Sequence, residues 1–407
     1  MPPSFSKLEI RIIILLGLLT AIGPFSIDMY LPAFSAIAIS LHTSVEKVTL
    51  SLSSFFIGIC AGQLLYGPLL ERFGRKRPLY AGLLLYFIAS IACAWAQSIE
   101  LLIAARLLQA LGGCVGMVAA RAMVRDVFEV QHNARVFSLL MLVVSVSPIL
   151  APTLGGYITQ WLGWRYVFGV LIAVVLLIMV GTYLFLPETK APNNLYSLKP
   201  PHILGSFAAI LKHPQFMVYA LTGALSYAGL YAYIGGAPYV FMQLYGATEA
   251  QFGWIFAFVA AGLIGASQIN SIMLRSKRSQ WLIVRASAFQ CMVGLLMVLS
   301  SVFHLDSLYV MIALVFLFLC CQGFLFPNTT ALALAPMPHA AGNASALVGA
   351  LQMGLGALAA AVIALWHNGT AIPLTVIMCC CAWLAFGMYY LGNRWLLKAW
   401  CPAKPET

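Results

Sequence analysis

The stretch Ala21-Ile-Gly-Pro-Phe-Ser-Ile-Asp28-Met-Tyr-Leu-Pro-Ala33 decides how this chain is read. It sets a carboxylate inside the first long apolar run, where no bulk water solvates a charge. An ionisable side chain in such a place marks function by default. The remaining acids fall outside the apolar runs. Glu9, Glu71, Asp126, Glu129, Glu188 and Glu406 lie at one set of loops and ends, Glu46, Glu100, Glu249 and Asp306 at the other. Of the basic residues, only Arg106 lies well within a run. One deep acid and one deep base point to a protein that moves a proton or an ion past something else.

Around that stretch the composition sets the class. The 407 residues are 62% hydrophobic and 8% charged, with mean hydropathy +0.95, whereas a soluble domain carries about a quarter charged residues. At roughly 20 residues per spanning helix, the chain has room for about twelve spans and almost no extramembrane domain. The first run, from Ile10, passes signal-peptide length without a small-residue cleavage pattern, so it is expected to remain as the first helix. Spans are expected near 10–38, 47–70, 78–97, 99–124, 135–160, 165–187, 215–243, 250–274, 280–303, 307–334, 342–367 and 370–397. The expected fold is an all-α membrane protein with twelve transmembrane helices in two six-helix halves, 1–187 and 215–407. Residues 188–214 form the linker, where Pro192, Pro200 and Pro201 break helix. Paired halves suggest the pseudo-twofold architecture of secondary transporters, with a substrate site near the midplane between them.

The net charge of +11 is explained by position. Lys7 and Arg11 precede the first run, Arg72, Arg75, Lys76 and Arg77 follow the second, and Arg275, Lys277, Arg278 and Arg285 follow the eighth. The alternate loops hold only Lys47 and Arg165. That asymmetry is the positive-inside pattern; it places both termini in the cytoplasm and needs no nucleic acid. The ten cysteines include no C-x-x-C and no Cys/His pairing at zinc spacing. Cys379, Cys380 and Cys381 point in three directions on one helix, so they read as small apolar filler rather than a metal site. No phosphate-binding G-x-x-x-x-G-K-[ST] loop, H-E-x-x-H or G-x-S-x-G occurs. The expectation is therefore a transporter rather than an enzyme, without cofactor or metal, driven by an ion gradient or by the substrate's own gradient. Its expected partners are a small molecule, protons and the lipid bilayer, and it is expected to act as a monomer.

Three motifs carry more. After the second run comes Gly67-Pro-Leu-Leu-Glu71-Arg72-Phe-Gly74-Arg75-Lys76-Arg77-Pro78. Gly67 is expected to permit close helix approach and Gly74 to supply a turn that a residue with a Cβ resists. The loop resembles the signature loop of the major facilitator superfamily, with Glu71 where the family more often has Asp. Charge of opposite sign leads to the expectation that Arg75 pairs with Asp126. In the fourth run, Gln109 and Gly113 share the helical face of Arg106, making that face polar and closely approachable. An arginine near a helix end also snorkels readily to the interface. In the superfamily's second motif, which this run resembles, the arginine is implicated in proton transfer. The fifth run holds Ser147-Pro148-Ile-Leu-Ala-Pro152-Thr-Leu-Gly155-Gly156, read as a kinked, tightly packed helix. It looks like the motif associated with antiporters.

With Ser26-Ile-Asp28-Met-Tyr30-Leu-Pro32-Ala, Gly62-Gln63, Arg125-Asp126-Val and Leu186-Pro187-Glu188-Thr189, these motifs resemble the Bcr/CflA subfamily, named for bicyclomycin and for chloramphenicol and florfenicol resistance. The match is dense in the N-terminal half and looser beyond it. The resemblance implies a proton-driven exporter of drugs across the bacterial inner membrane. Asp28 and Arg106 would be its proton-coupling residues, and Gly67, Glu71, Gly74, Arg75, Asp126, Pro148, Pro152, Gly155 and Gly156 its gating residues. Export of a native metabolite such as an amino-acid derivative or siderophore, and a uniporter or sensor, are the alternatives. Some related exporters carry a second acid two turns before the aspartate; here Thr20 and Ala21 stand there. Tyr30, Gln63, Met141, Tyr227, Tyr231, Phe324 and Gln352 are the candidate substrate contacts, because they mix aromatic or flexible surface with polar tips.

Overall fold

A computed structural model describes residues 7–128, 130–192, 200–337, 340–366 and 368–400. Glu129 and Glu406, counted above, lie outside them. Every regular element among the described residues is helical: α1 (Lys7–Asp28), a 3-10 turn (Leu31–Ala33), α2 (Phe34–Ser40), α3 (Val45–Phe73), α4 (Lys76–Ala94), α5 (Ile99–Val127), α6 (Val130–Trp161), α7 (Arg165–Phe185), α8 (Pro200–Leu211), α9 (Pro214–Pro238), a π-helix (Tyr239–Leu244), α10 (Glu249–Met273), α11 (Ser279–Val302), α12 (Leu308–Leu334), α13 (Ala341–Leu365) and α14 (Ile372–Trp400). Among the described residues, twelve stretches are long and apolar enough to cross a membrane, the first running from Glu9 to Ser40 through the 3-10 turn. They coincide with the twelve expected spans to within a few residues, except that the fifth crosses as Leu142–Trp161 within the longer α6.

Several helix starts are written in the sequence. Ser44, Ser98 and Ser307 cap α3, α5 and α12, each accepting the backbone N–H three residues on. Such a side chain satisfies a donor that the first turn otherwise leaves open. Glu46 and Glu100 add negative charge to two of these first turns, where the helix dipole favours it.

The first span is interrupted, against the expectation of one continuous helix over 10–38. Pro32 has no N–H to donate to the carbonyl of Asp28, and its ring crowds that same carbonyl. Tyr30 donates instead to Ile27 and Ala33 to Tyr30, a tighter i→i+3 pattern, before α2 resumes. The seventh span carries a second irregularity, passing at Pro238 into the wider π-turns of Tyr239–Leu244. In α6, by contrast, helix continues through both Pro148 and Pro152.

The chain divides into two compact units. One comprises residues 1–200 with Pro238–Phe258; the other comprises Pro201–Ala237 with Val259–Thr407.

Candidate functional site

Asp28 is the last residue of α1, so the deep acid sits where the helix stops. It is buried, and among the described residues no hydrogen bond or ion pair joins its carboxyl to any side chain, Arg106 included. Interrupted membrane helices put unpaired backbone groups at mid-depth, and transporters use such breaks to hold substrates and ions.

Arg106 does not snorkel; it is fully buried. Its Nη2 donates to the carbonyl of Ser26 at 3.0 Å and its Nη1 to Oε1 of Gln109 at 2.6 Å. The Ser26 carbonyl is available because Tyr30, its regular partner four residues on, has turned to Ile27. A guanidinium therefore caps the broken end of α1, where the helix dipole is negative. The rings of Phe55 and Tyr30 lie 4.0 and 4.4 Å from the guanidinium carbon, and Phe168 lies 5.9 Å away. Desolvating a charge costs several kcal/mol. Charged hydrogen bonds return about 1.5–3 kcal/mol each, and a desolvated cation over a ring about 2 kcal/mol. The cage is thus comparable to the desolvation cost without a carboxylate. The surrounding hydroxyls fix the cage. Gln109 Nε2 donates to Ser90 Oγ at 2.8 Å, Ser26 and Tyr86 share a 2.7 Å hydrogen bond, and so do Tyr30 and Ser51. Tyr30 and Gln63 are both buried, Tyr30 as a wall of the cage, Gln63 with its Oε1 unpartnered.

The fifth-span motif reaches this site through a glycine. A Cβ on Gly155 would fall 2.2 Å from the carbonyl oxygen of Met29, the residue after Asp28, so only glycine lets α6 lie against the interruption. Gly156 and Gly253 are equally constrained, by the carbonyls of Glu249 and Pro152 respectively. Small residues at such crossings let backbones approach closely. Met141 lies on α6, but its side chain is outside the described residues.

The signature loop forms a charge cluster at one end of the first unit. Arg75 Nε meets Asp126 at 2.7 Å, its Nη2 reaches the second Asp126 oxygen at 3.4 Å, and its Nη1 meets Glu71 at 3.1 Å. Burial opposes the charge on Arg75, but Asp126 and Glu71 outweigh it and hold the guanidinium above its usual pKa. The segment after the sixth span completes the cluster, a role the sequence reading did not assign. Glu188 accepts the backbone N–H groups of Arg75 and Lys76 at 2.7 and 3.1 Å, Thr189 donates to Asp126 at 3.1 Å, and Lys190 pairs with Glu71. A carboxylate on free N–H groups opening α4 is the ordinary anion site of a helix start. Gly74 has φ +81°, and a Cβ there would crowd the Lys190 carbonyl and the Glu188 carboxylate. Gly67 departs from expectation, because a Cβ there meets nothing within 4 Å. Close packing is not its role.

In the second unit, Tyr227 and Tyr231 meet edge to face at 5.3 Å, and Tyr227 lies 5.0 Å from Phe326. The Phe324 carbonyl accepts Asn328 Nδ2, and Gln352 is buried with its Nε2 unpartnered. Among the described residues no group of three or more His, Cys, Asp or Glu could hold a metal ion.

Among the described residues, twelve stretches are long and apolar enough to cross a membrane, and the first is broken beside a buried carboxyl. The Major Facilitator Superfamily model matches residues 16–361. The chain is 32% identical over 376 residues to the uncharacterized MFS-type transporter YdgK of Bacillus subtilis (strain 168), spanning 91% of this chain and 92% of the relative. It is 30% identical to the bicyclomycin resistance protein homolog of Haemophilus influenzae, over 95% and 97% of the two chains. It is 27% identical to a chloramphenicol resistance protein of Pseudomonas aeruginosa, over 92% and 89%. Among solved structures it resembles a bacterial homolog of the human lysosomal transporter Spinster, with TM-score 0.73 and 15% identity over 98% of this chain and all of that one. The chain belongs to the major facilitator superfamily, and its drug-resistance relatives bear out the narrower resemblance seen in its motifs. It is a multi-pass bacterial membrane protein whose superfamily carries small molecules across the bilayer.

Proposed function

We propose that this chain is a proton-coupled antiporter that exports drugs or drug-like small molecules across the bacterial inner membrane. In this reading it works as a monomer with both termini in the cytoplasm, and its working halves are 1–187 and 215–407, joined by 188–214. The observation that carries the reading is Asp28, a buried carboxyl without a partner at the break of the first span. Relatives named for bicyclomycin, chloramphenicol and multidrug resistance support the substrate class. Asp28 takes a proton from outside as substrate leaves and gives it up inside as substrate binds, so the two compete for one site. Arg106 holds the broken helix end in register for that exchange. The Arg75–Asp126 pair fastens one end of the first unit in one state of the cycle. Substrate contacts are drawn from Tyr30, Gln63, Met141, Tyr227, Tyr231, Phe324 and Gln352.

A single central carboxyl implies one proton per substrate. Export of a neutral compound then moves net charge, and export of a monovalent cation does not. Proteoliposomes with a clamped membrane potential test this: the potential should drive a neutral phenicol and leave a monovalent cation nearly unaffected, and a protonophore should stop both. Potential-independent uphill export of the neutral compound would mean that another group carries protons.

A further inference from the structure

Neutral polar side chains gather in the interior of the second unit. Ser226 on α9 donates to Gln290 Oε1 on α11 at 3.0 Å and accepts from Gln322 Nε2 on α12 at 2.8 Å. The same Nε2 also donates to the Ser226 carbonyl, and Gln290 Nε2 to the carbonyl of Phe318. Ser226, Gln290 and Gln322 each lie within about a turn of the middle of their helices, as does Gln352 on α13. Two amide atoms in this layer have no partner, Gln322 Oε1 and Gln352 Nε2, although the residues are only 1% and 6% exposed. Buried polar atoms are partnered in the great majority of cases. Here one loose acceptor and one loose donor remain at the same depth.

Aromatic rings adjoin them. Phe326 follows Gln322 by one turn and lies 5.0 Å from Tyr227. Tyr231, one turn beyond Tyr227, packs its ring on Gly356, one turn beyond Gln352. Since α9 and α13 are the seventh and eleventh spans and cross the membrane in the same sense, Gln352 is level with Tyr227. Charge is absent at mid-depth: Glu249 opens α10, Arg285 lies near the start of α11, Arg394 lies near the end of α14, and no Asp or Glu falls between the ends of these spans. A cation or an anion here would go uncompensated, at high cost.

We propose that this layer is a subsite for an uncharged aromatic compound bearing a hydrogen-bond donor and an acceptor, of the aryl-amide or aryl-alcohol class. Gln322 Oε1 accepts from the ligand, Gln352 Nε2 donates to it, and Tyr227, Tyr231 and Phe326 cover its ring. The inference rests on the export reading above and adds a substrate class to it. Amides that lack partners in the empty unit select ligands that complete them, because an analogue without those groups leaves them unpaired.

Proton-driven transport in proteoliposomes tests the subsite, with chloramphenicol as the uncharged aryl amide and tetraphenylphosphonium as the cation. Gln322→Leu and Gln352→Leu should each raise the half-saturating concentration of chloramphenicol about tenfold, the worth of one buried hydrogen bond. The shape-conserving Gln352→Glu should do the same and improve transport of the cation. If all three variants keep chloramphenicol half-saturation within about twofold of wild type, the subsite is overturned while the exporter reading stands. Equal losses for both compounds in the Leu variants, with no gain for the cation in Gln352→Glu, would assign these amides to packing and likewise overturn it. Wild-type protein that moves neither compound against a gradient would bring down both readings.

Discussion

The two units bury polar chemistry of opposite kinds. The first holds charge at depth: a carboxyl without a partner at a helix break, and a guanidinium caged by rings and capping that same break. The second holds amides and hydroxyls, tied to one another with loose ends and no ionisable carboxylate in its spans. On the proposed reading, proton and substrate compete at Asp28 in the first unit, and the amide layer of the second gives an uncharged ligand further contacts whose charge does not change.

The strongest way to break that division is Asp28→Asn, which keeps volume and removes the titratable proton. Uphill export should vanish while the protein still elutes as a folded species, and exchange down a substrate gradient should persist. Proton-driven export by this variant at the wild-type rate would move the coupling role elsewhere. The cage gives the next largest effect. Lysine cannot span Gln109 and the Ser26 carbonyl as a planar fork does, so Arg106→Lys should cost about 3 kcal/mol, read as a lowered thermal midpoint in detergent. A midpoint unchanged from wild type would show that the cap does not stabilise the fold.

The glycines sharpen the comparison further. Gly155→Val drives its side chain into the Met29 carbonyl and should cost about 1–3 kcal/mol together with transport activity. Gly67→Ala, facing open space, should stay within about 0.5 kcal/mol of wild type. Reversed ranking of the two in a melting series would refute the packing described for α6. Last comes the charge cluster, where Arg75 is buried and Arg75→Asp or Asp126→Arg alone should weaken transport by leaving the remaining charges uncompensated. The double reversal should restore part of it, and no rescue would mean that the two charges act independently.

The fold was legible because a membrane span needs about 20 apolar residues in a row, a signal that each of the twelve helices carries by itself. Asp28 and Arg106 were legible for the same reason, as charges where charge is costly. What escaped was chemistry made by distant segments meeting. The rings around Arg106 come from α3, α7 and the residues just after α1, and no spacing announces that meeting. Glu188 stood out only as part of a motif, since its partners are backbone N–H groups far away in sequence. The break in the first span was visible in principle: Pro32 stands four residues after Asp28, where its ring must oppose that residue's carbonyl. The apolar run outweighed it because lipid tolerates a proline that costs a soluble helix its continuity. Gly67 failed in the other direction, because a glycine in a helix advertises contact whether or not a neighbour is there.

The break also has a mechanical side. Hinging a continuous membrane helix means severing backbone hydrogen bonds where no water can replace them. At Asp28 the bond to residue 32 never forms, and past Met29, which still donates to Phe25, Tyr30 and Ala33 make only short three-residue links. The carboxyl therefore stands at the edge of the most compliant joint of the first span, where turning about Tyr30 strains short links rather than a run of regular helical bonds. Arg106, gripping the Ser26 carbonyl one step before the joint, anchors the fixed side of that pivot.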